Sequence, residues 1–373
     1  MNCRAIISNW ILLIALMVGS TIPIASVFAE SKESQPDWLN IIRQIPYQYS
    51  KNFHSNLSTI RQWVLLENGF CEQQDRHLLF NRRGEFLAYI ENDWSKSSTQ
   101  KKLNQTRLEL VKAGKVKNWI IGSEKATGYP FAFNCNQPHA DIHQAINRLL
   151  GEKKSDRLWG TWDGITAGTK YTPISLFELV EKVYRIKSER INQPVNSAEF
   201  RYFLAQIIIE SGARKNRVSS ENAIGLLQLK PEVLQDCQIP KKFYKHRMAQ
   251  VDCAVRLFQQ NRRNLRKAFD PVFSHLPKAK QDVIFSMLLI QSYHSGIGRM
   301  SKLLNPEDQG AATNYFAKNH QDFTAEDIAT GIVYHNMGRE GFGLASLYYV
   351  IDVAVVADKL CKQADLKDSW TCA

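Results

Sequence analysis

The sequence is short of acid. Its 373 residues carry 36 Asp and Glu against 48 Lys and Arg, a formal net charge of +12. Such a surface attracts polyanions, whether nucleic acid, anionic lipid or wall polymer bearing carboxylates. No RNA- or DNA-binding motif accompanies the charge, so a generally solvated basic surface is expected, with no nucleic-acid partner. Long apolar runs are scarce too. One covers 10–18, follows Arg4, and ends in Gly19, Ser20 and Pro23. That is short for a bilayer span, and with Val27-Phe28-Ala29 before Glu30 it reads as a secretory signal peptide over 1–29. The other, 344–356, is interrupted by Asp352 and reads as a core helix, because charge inside a membrane is costly. The mature chain is therefore expected to be exported, to a periplasm or out of the cell, and to hold no stable membrane span.

Cysteine is sparse and lacks metal-ligand spacing. Without the leader, which holds Cys3, six remain: Cys71, Cys135, Cys237, Cys253, Cys361 and Cys372. An even count in an exported chain suggests disulfides, and six cysteines allow 15 connectivities. The simplest joins neighbours: Cys71 with Cys135, Cys237 with Cys253, Cys361 with Cys372. His139 and His143 lie four apart, but no Glu follows in a zincin pattern and no third ligand is evident. No metal and no cofactor are expected.

Disorder is excluded by 44% hydrophobic and 23% charged residues, and the length allows two or three domains. After the leader, a short helix is expected at 37–44, stopped by Pro46. Strands at 78–80 and 86–90 flank Asn81-Arg82-Arg83-Gly84, a hairpin signal. A helix at 100–113 closes on Gly114, strands follow at 116–121 and 129–133, and a helix at 141–150 ends at Gly151. Trp159-Gly160-Thr161-Trp162-Asp163-Gly164 marks a boundary, its tryptophans pinning a linker or forming a sugar-stacking platform. Beyond Pro173 apolar residues recur at helical spacing in 175–188, 197–210, 251–269, 279–292, 325–335 and 341–363. The fold class is α+β: a small N-terminal α+β domain of unknown role over 30–165, then an all-helical domain over 166–373.

One acid stands out. Asn196 can cap a helix with Glu199 three places on, and Phe200, Phe203, Leu204, Ile207 and Ile208 follow at helical spacing. The helix is expected to end near Gly212, which puts Glu210 in its last turn beside three isoleucines. Lost hydration and the negative end of the helix dipole both favour the protonated carboxyl. Such a group can give its proton to a glycosidic oxygen. Glu221 and Glu232 follow but match no second catalytic position.

Around Glu210 the residues fall into a series: Glu210-Ser211, Ser219, Ala223, Gly225-Leu226-Leu227-Gln228, and later Tyr293-His294-Ser295-Gly296. This series resembles that of family 1 lytic transglycosylases, goose-lysozyme-like domains that cleave peptidoglycan, and the resemblance covers roughly the C-terminal half. Tyr348-Tyr349-Val350 is similar to a late aromatic-Tyr-Val of the same family. Three positions depart from the pattern: Asn222 for Gly, Leu227 for Met and His294 for Asn. Asn tolerates a left-handed turn and Leu conserves volume, whereas imidazole presents different donors and acceptors from an amide.

The resemblance implies an enzyme that opens the bond between N-acetylmuramic acid and N-acetylglucosamine with Glu210 as sole acid and base, closing a 1,6-anhydro ring. It implies substrate contacts from Ser211, Ser219, Ala223, Gly225, Leu226, Gln228, Tyr293, His294 and Tyr349. Ser211 and Ser219 would serve the acid or the N-acetyl group. Gly225 would admit the glycan, Leu226 would shape an apolar wall, Gln228 would offer an amide, and Tyr293 would orient Glu210. A muramidase or chitin-cleaving hydrolase on the same fold, or a wall-binding protein without turnover, are the alternatives.

Overall fold

The computed structural model describes residues 43–66, 71, 73–80, 85–115, 131–137 and 141–372. The expected leader, most of the helix at 37–44, the turn at 81–84, the strand at 116–121, residues 129 and 130, and His139 lie outside these.

A short 3-10 turn at Tyr47–Ser50 leads into helix α1 (Phe53–Leu66). Strand β1 (Arg76–Phe80) pairs antiparallel with both β2 (Phe86–Glu91) and β3 (Phe131–Asn134), so Leu78 faces Tyr89 on one side and Phe133 on the other. Helix α2 (Lys96–Lys112) is capped by the Ser95 hydroxyl, which accepts from the Ser98 amide, and packs on β2. Leu79, Ile90, Leu103 and Leu110 form a small apolar cluster between them. Helix α3 (Ile142–Leu150) starts at an Asp141 cap and ends at left-handed Gly151.

The Trp159–Gly164 stretch is a hairpin rather than a linker: β4 (Gly160–Trp162) returns as β5 (Ile165–Ala167) through Asp163 and Gly164, both at positive φ. Trp162 packs edge-on against Phe243, 5.3 Å between centroids.

Helices then dominate: α4 (Leu176–Arg190), α5 (Ser197–Ser211), α6 (Pro231–Asp236), α7 (Arg247–Phe273), α8 (Lys278–Ser295), α9 (Ile297–Leu304), α10 (Ala311–Lys318), α11 (Ala325–Tyr334) and α12 (Leu344–Leu360). Polar residues start them at the expected places. Asn196 caps α5, Thr324 caps α11, and Ser175 with Glu178 makes a full capping box on α4. Helix α5 is the centre of the bundle. It contacts α3, α4, α8 and α12, and from Phe203 to Ile209 every residue is buried. No single apolar stripe can do this; a helix buried all round has neighbours all round.

The boundary expected near 165 does not separate two cores. Residues Trp38–Ala373 form one compact unit, and α1, from the first half, packs on α11 and α12 from the end of the chain. Leu57 and Ile60 of α1 belong to the same core as Ile351 and Val355. The bond between halves includes charge: Arg61 of α1 meets Asp352 of α12 in a buried bidentate pair, Nε to Oδ1 2.6 Å and Nη2 to Oδ2 2.7 Å. The architecture is mixed α+β with a mostly helical body.

Disulfides join Cys71 to Cys135, Cys237 to Cys253 and Cys361 to Cys372, the pairing of neighbours. They are compatible with an exported protein. Among the described residues no helix is long and apolar enough to cross a membrane.

Candidate active site

Glu210 is the penultimate residue of α5, which closes on Gly212 at φ +63. The Gly212 carbonyl is met by Arg148 Nε of α3 at 2.7 Å, so the helix end is fixed from outside. The Glu210 side chain is half-buried and faces a cleft of about 770 Å³. The loop after α5 supplies one wall through Arg217, Ser219, Ala223, Gln228 and Leu229, and the first part of the chain supplies the other through His77, Leu103, Arg107 and Asn134. At the start of α2 the walls meet: Lys96 Nζ is 3.3 Å from Ser220 Oγ and 3.8 Å from Glu221 Oε1.

The Tyr349 hydroxyl donates to Glu210 Oε1 at 2.6 Å and itself receives Gln206 Nε2 at 3.1 Å. Burial raises the Glu210 pKa, and the Tyr349 hydrogen bond pulls it part of the way back; the result is about 7. Desolvation wins because Ile209, Leu229 and other apolar side chains share the cleft lining. Glu210 can thus both hold and release a proton near neutral pH. Glu221, Asp352 and Glu210 are the carboxylates that line the cleft among the described residues. Asp352 is held by Arg61 and Glu221 lies against Lys96, whereas Glu210 has no cationic partner among the described residues.

Several residues expected to face substrate are turned to other work. Ser211 is fully buried, its hydroxyl 2.7 Å from the Leu226 carbonyl and 3.1 Å from that of Ile207, so it ties α5 to the loop and does not reach into the cleft. Tyr293 lines the cleft, but its hydroxyl donates to the Leu227 carbonyl at 2.6 Å; the hydroxyl on the acid belongs to Tyr349. Gly225, at φ +75, makes room for protein: a Cβ there would lie 2.1 Å from the Gln250 carboxamide. Gln250 needs that closeness, because its Oε1 accepts from the Leu226 amide at 2.9 Å and its Nε2 donates to the Tyr244 carbonyl at 2.7 Å. Leu226 is fully buried, and Leu229 stands in the lining instead.

Others do face the cleft. Ser219 and Ala223 line it, and the Ser219 hydroxyl accepts from the amides of Glu221 and Ala223, each at 3.1 Å, which shapes the turn. Asn222 sits in that turn at φ +58, the left-handed conformation asparagine tolerates. Gln228 lines the cleft with its amide nitrogen already given to the Gly225 carbonyl at 2.8 Å. His294 stacks on Tyr349, centroids 4.3 Å apart and planes 19° from parallel. His294 is exposed, and the protein packed behind it lowers its pKa.

The far wall was invisible in the sequence. His77 Nδ1 meets Asn92 Oδ1 at 2.7 Å, and Arg61 lies 5.1 Å from the Phe133 ring and 4.9 Å from that of Tyr348 beneath the cleft. No spacing signal links residues this far apart. Comparison of the chain with protein-family models and with curated proteins gives no match to either.

Proposed function

We propose that the protein is a lytic transglycosylase acting on peptidoglycan glycan strands in a periplasm or outside the cell. The observation that carries this reading is the protonatable Glu210, oriented by Tyr349 in an open cleft whose other carboxylates among the described residues, Glu221 and Asp352, lie against cations. Glycosidases that form a glycosyl-enzyme or direct a water usually need two such groups. A single acid fits a reaction in which the substrate supplies the rest.

In that reaction Glu210 gives its proton to the bridging oxygen, and the bond from the muramic anomeric carbon to that oxygen breaks. The adjacent N-acetyl group stabilises the positive carbon. The Glu210 carboxylate then accepts the proton of the sugar's own 6-hydroxyl, whose oxygen bonds to the anomeric carbon, and the acid is restored. An intramolecular hydroxyl has a high effective concentration, so no water need be held. Tyr349 supports both halves of the cycle: its hydroxyl stabilises the carboxylate, and burial keeps the acid available. His294 backs Tyr349 through the stack.

Mass spectrometry of purified peptidoglycan digested by the protein, beside Glu210→Gln, tests this. Anhydro-ended muropeptides from the first and none from the second are expected. Products heavier by one water would replace the reading with a hydrolase. No soluble products from either, with both sedimenting with the wall, would replace it with a binding protein.

A further inference from the structure

The cleft holds more positive charge than proton transfer uses. Arg61 is committed to Asp352, and Arg107 donates to Asn104 Oδ1 at 2.9 Å. Arg217 and Lys230 differ. Both line the cleft, from the entry and the exit of the loop that follows Glu210, and neither has an ion pair among the described residues. The Arg217 Nε is sealed from solvent and has no acceptor among the described residues. Lys230 is exposed at the N-terminus of α6. Arg217 as a whole is half-buried on the cleft lining, so a guanidinium without an ion pair borders the space a ligand would occupy.

We propose that Arg217 and Lys230 form a carboxylate-binding subsite, so that the cleft selects glycan strands bearing acidic substituents over neutral strands. The proposal rests on the glycan-cleaving reading above and names the substrate class within it. An arginine guanidinium presents a planar fork that fits a carboxylate, and a lysine on the same cleft lining adds a point charge. The remaining charges of the cleft do not compete. Glu221 faces Lys96, Asp352 faces Arg61, and burial, with a smaller effect of Arg107, lowers the His77 pKa against the hydrogen bond with Asn92. Arg217 and Lys230 share the loop with Ser219, Ala223 and Gln228, which places an acidic substituent and the scissile bond on one wall.

The test is isothermal titration of the full chain carrying Glu210→Gln, which binds without turnover. Two probes are compared: a wall tetrasaccharide with free lactyl carboxylates, and the same tetrasaccharide with those carboxylates converted to methylamides. The free acid is expected to bind roughly tenfold more tightly at low salt, with the preference shrinking as ionic strength rises. Adding Arg217→Gln and Lys230→Gln is expected to bring its affinity down to that of the amide, while Arg217→Lys keeps part of the preference. Equal affinity for the two probes, or a preference that survives the double change, overturns the subsite. Binding of neither probe overturns both the subsite and the glycan reading. Should the double change unfold the protein, seen as a lost thermal transition, the salt dependence and the two probes on the parent decide alone.

Discussion

Tyr349 Oη and Glu210 Oε1 lie 2.6 Å apart, joining the last helix of the chain to the central one at the floor of the cleft. The hydroxyl stabilises the charged acid, burial the neutral one, and burial dominates. Changing Glu210 to Gln removes both proton transfers. Turnover of peptidoglycan is expected to fall by roughly 10³-fold or more, the scale of general acid–base catalysis. Muropeptide release quantified against wild type checks it, with a retained melting transition showing that the fold is intact.

Replacing Tyr349 with Phe leaves the burial and removes the hydrogen bond that favours the carboxylate, so the Glu210 pKa rises above about 7. Because the first step needs the protonated acid, the alkaline limb of the rate profile moves to higher pH. The maximum rate falls, since the carboxylate of the second step is less well stabilised. A pH–rate series on both proteins reads the two effects separately, and an unmoved limb would count against the assignment.

Stability carries the same signature. A carboxyl whose folded pKa lies above its unfolded value favours folding most fully at low pH, and that contribution is lost as pH rises from about 4.5 to about 7. The melting temperature of wild type minus that of Glu210→Gln is therefore expected to decline across this window and to level off above it. A difference that grows with pH would contradict the burial argument.

The pair between Arg61 and Asp352 is buried on both sides, with 4% and 5% of the side chains exposed. Asp352→Ala strands a guanidinium in the core, and a loss of about 3–5 kcal/mol in denaturant unfolding is expected. The double change Arg61→Met with Asp352→Leu is expected to recover much of it, because apolar replacements of similar size leave no charge unpaired.

Gly225→Ala would place a methyl into the Gln250 carboxamide at a backbone angle that suits glycine. A cost of roughly 1–3 kcal/mol is expected from the strained conformation, before the clash is counted. The loop wall must shift, so the KM for glycan is expected to rise together with the loss of stability. Steady-state kinetics and urea unfolding on one preparation would show both.

Much of the site was legible because it is local. Asn196, Gly212 and the isoleucines between them placed Glu210 at a helix end, and the spacing onward to Gln228 marked the loop. Roles were less legible than positions. Nothing in the order of residues says that the Ser211 hydroxyl turns inward to Leu226, or that Tyr349 and not Tyr293 reaches the acid, since both tyrosines come from helices far along the chain. The second wall was lost for a different reason. Phe53, Leu57 and Ile60 in α1 have helical spacing, but nothing in that spacing says that α1 packs on helices from the end of the chain. The hairpin at Asp163-Gly164 was likewise hidden under its tryptophans.

Arg61 and Asp352 stand 291 positions apart, and Glu210 and Tyr349 stand 139 apart. Contacts between such distant positions form late, because the intervening chain must first be ordered. A chain emerging from its N-terminus has the acid long before it has the tyrosine that orients it or the aspartate that anchors the cleft floor. The proposed acid is therefore made early and its partner last, and a product missing only its final helix would carry Glu210 without the Tyr349 hydroxyl that meets it.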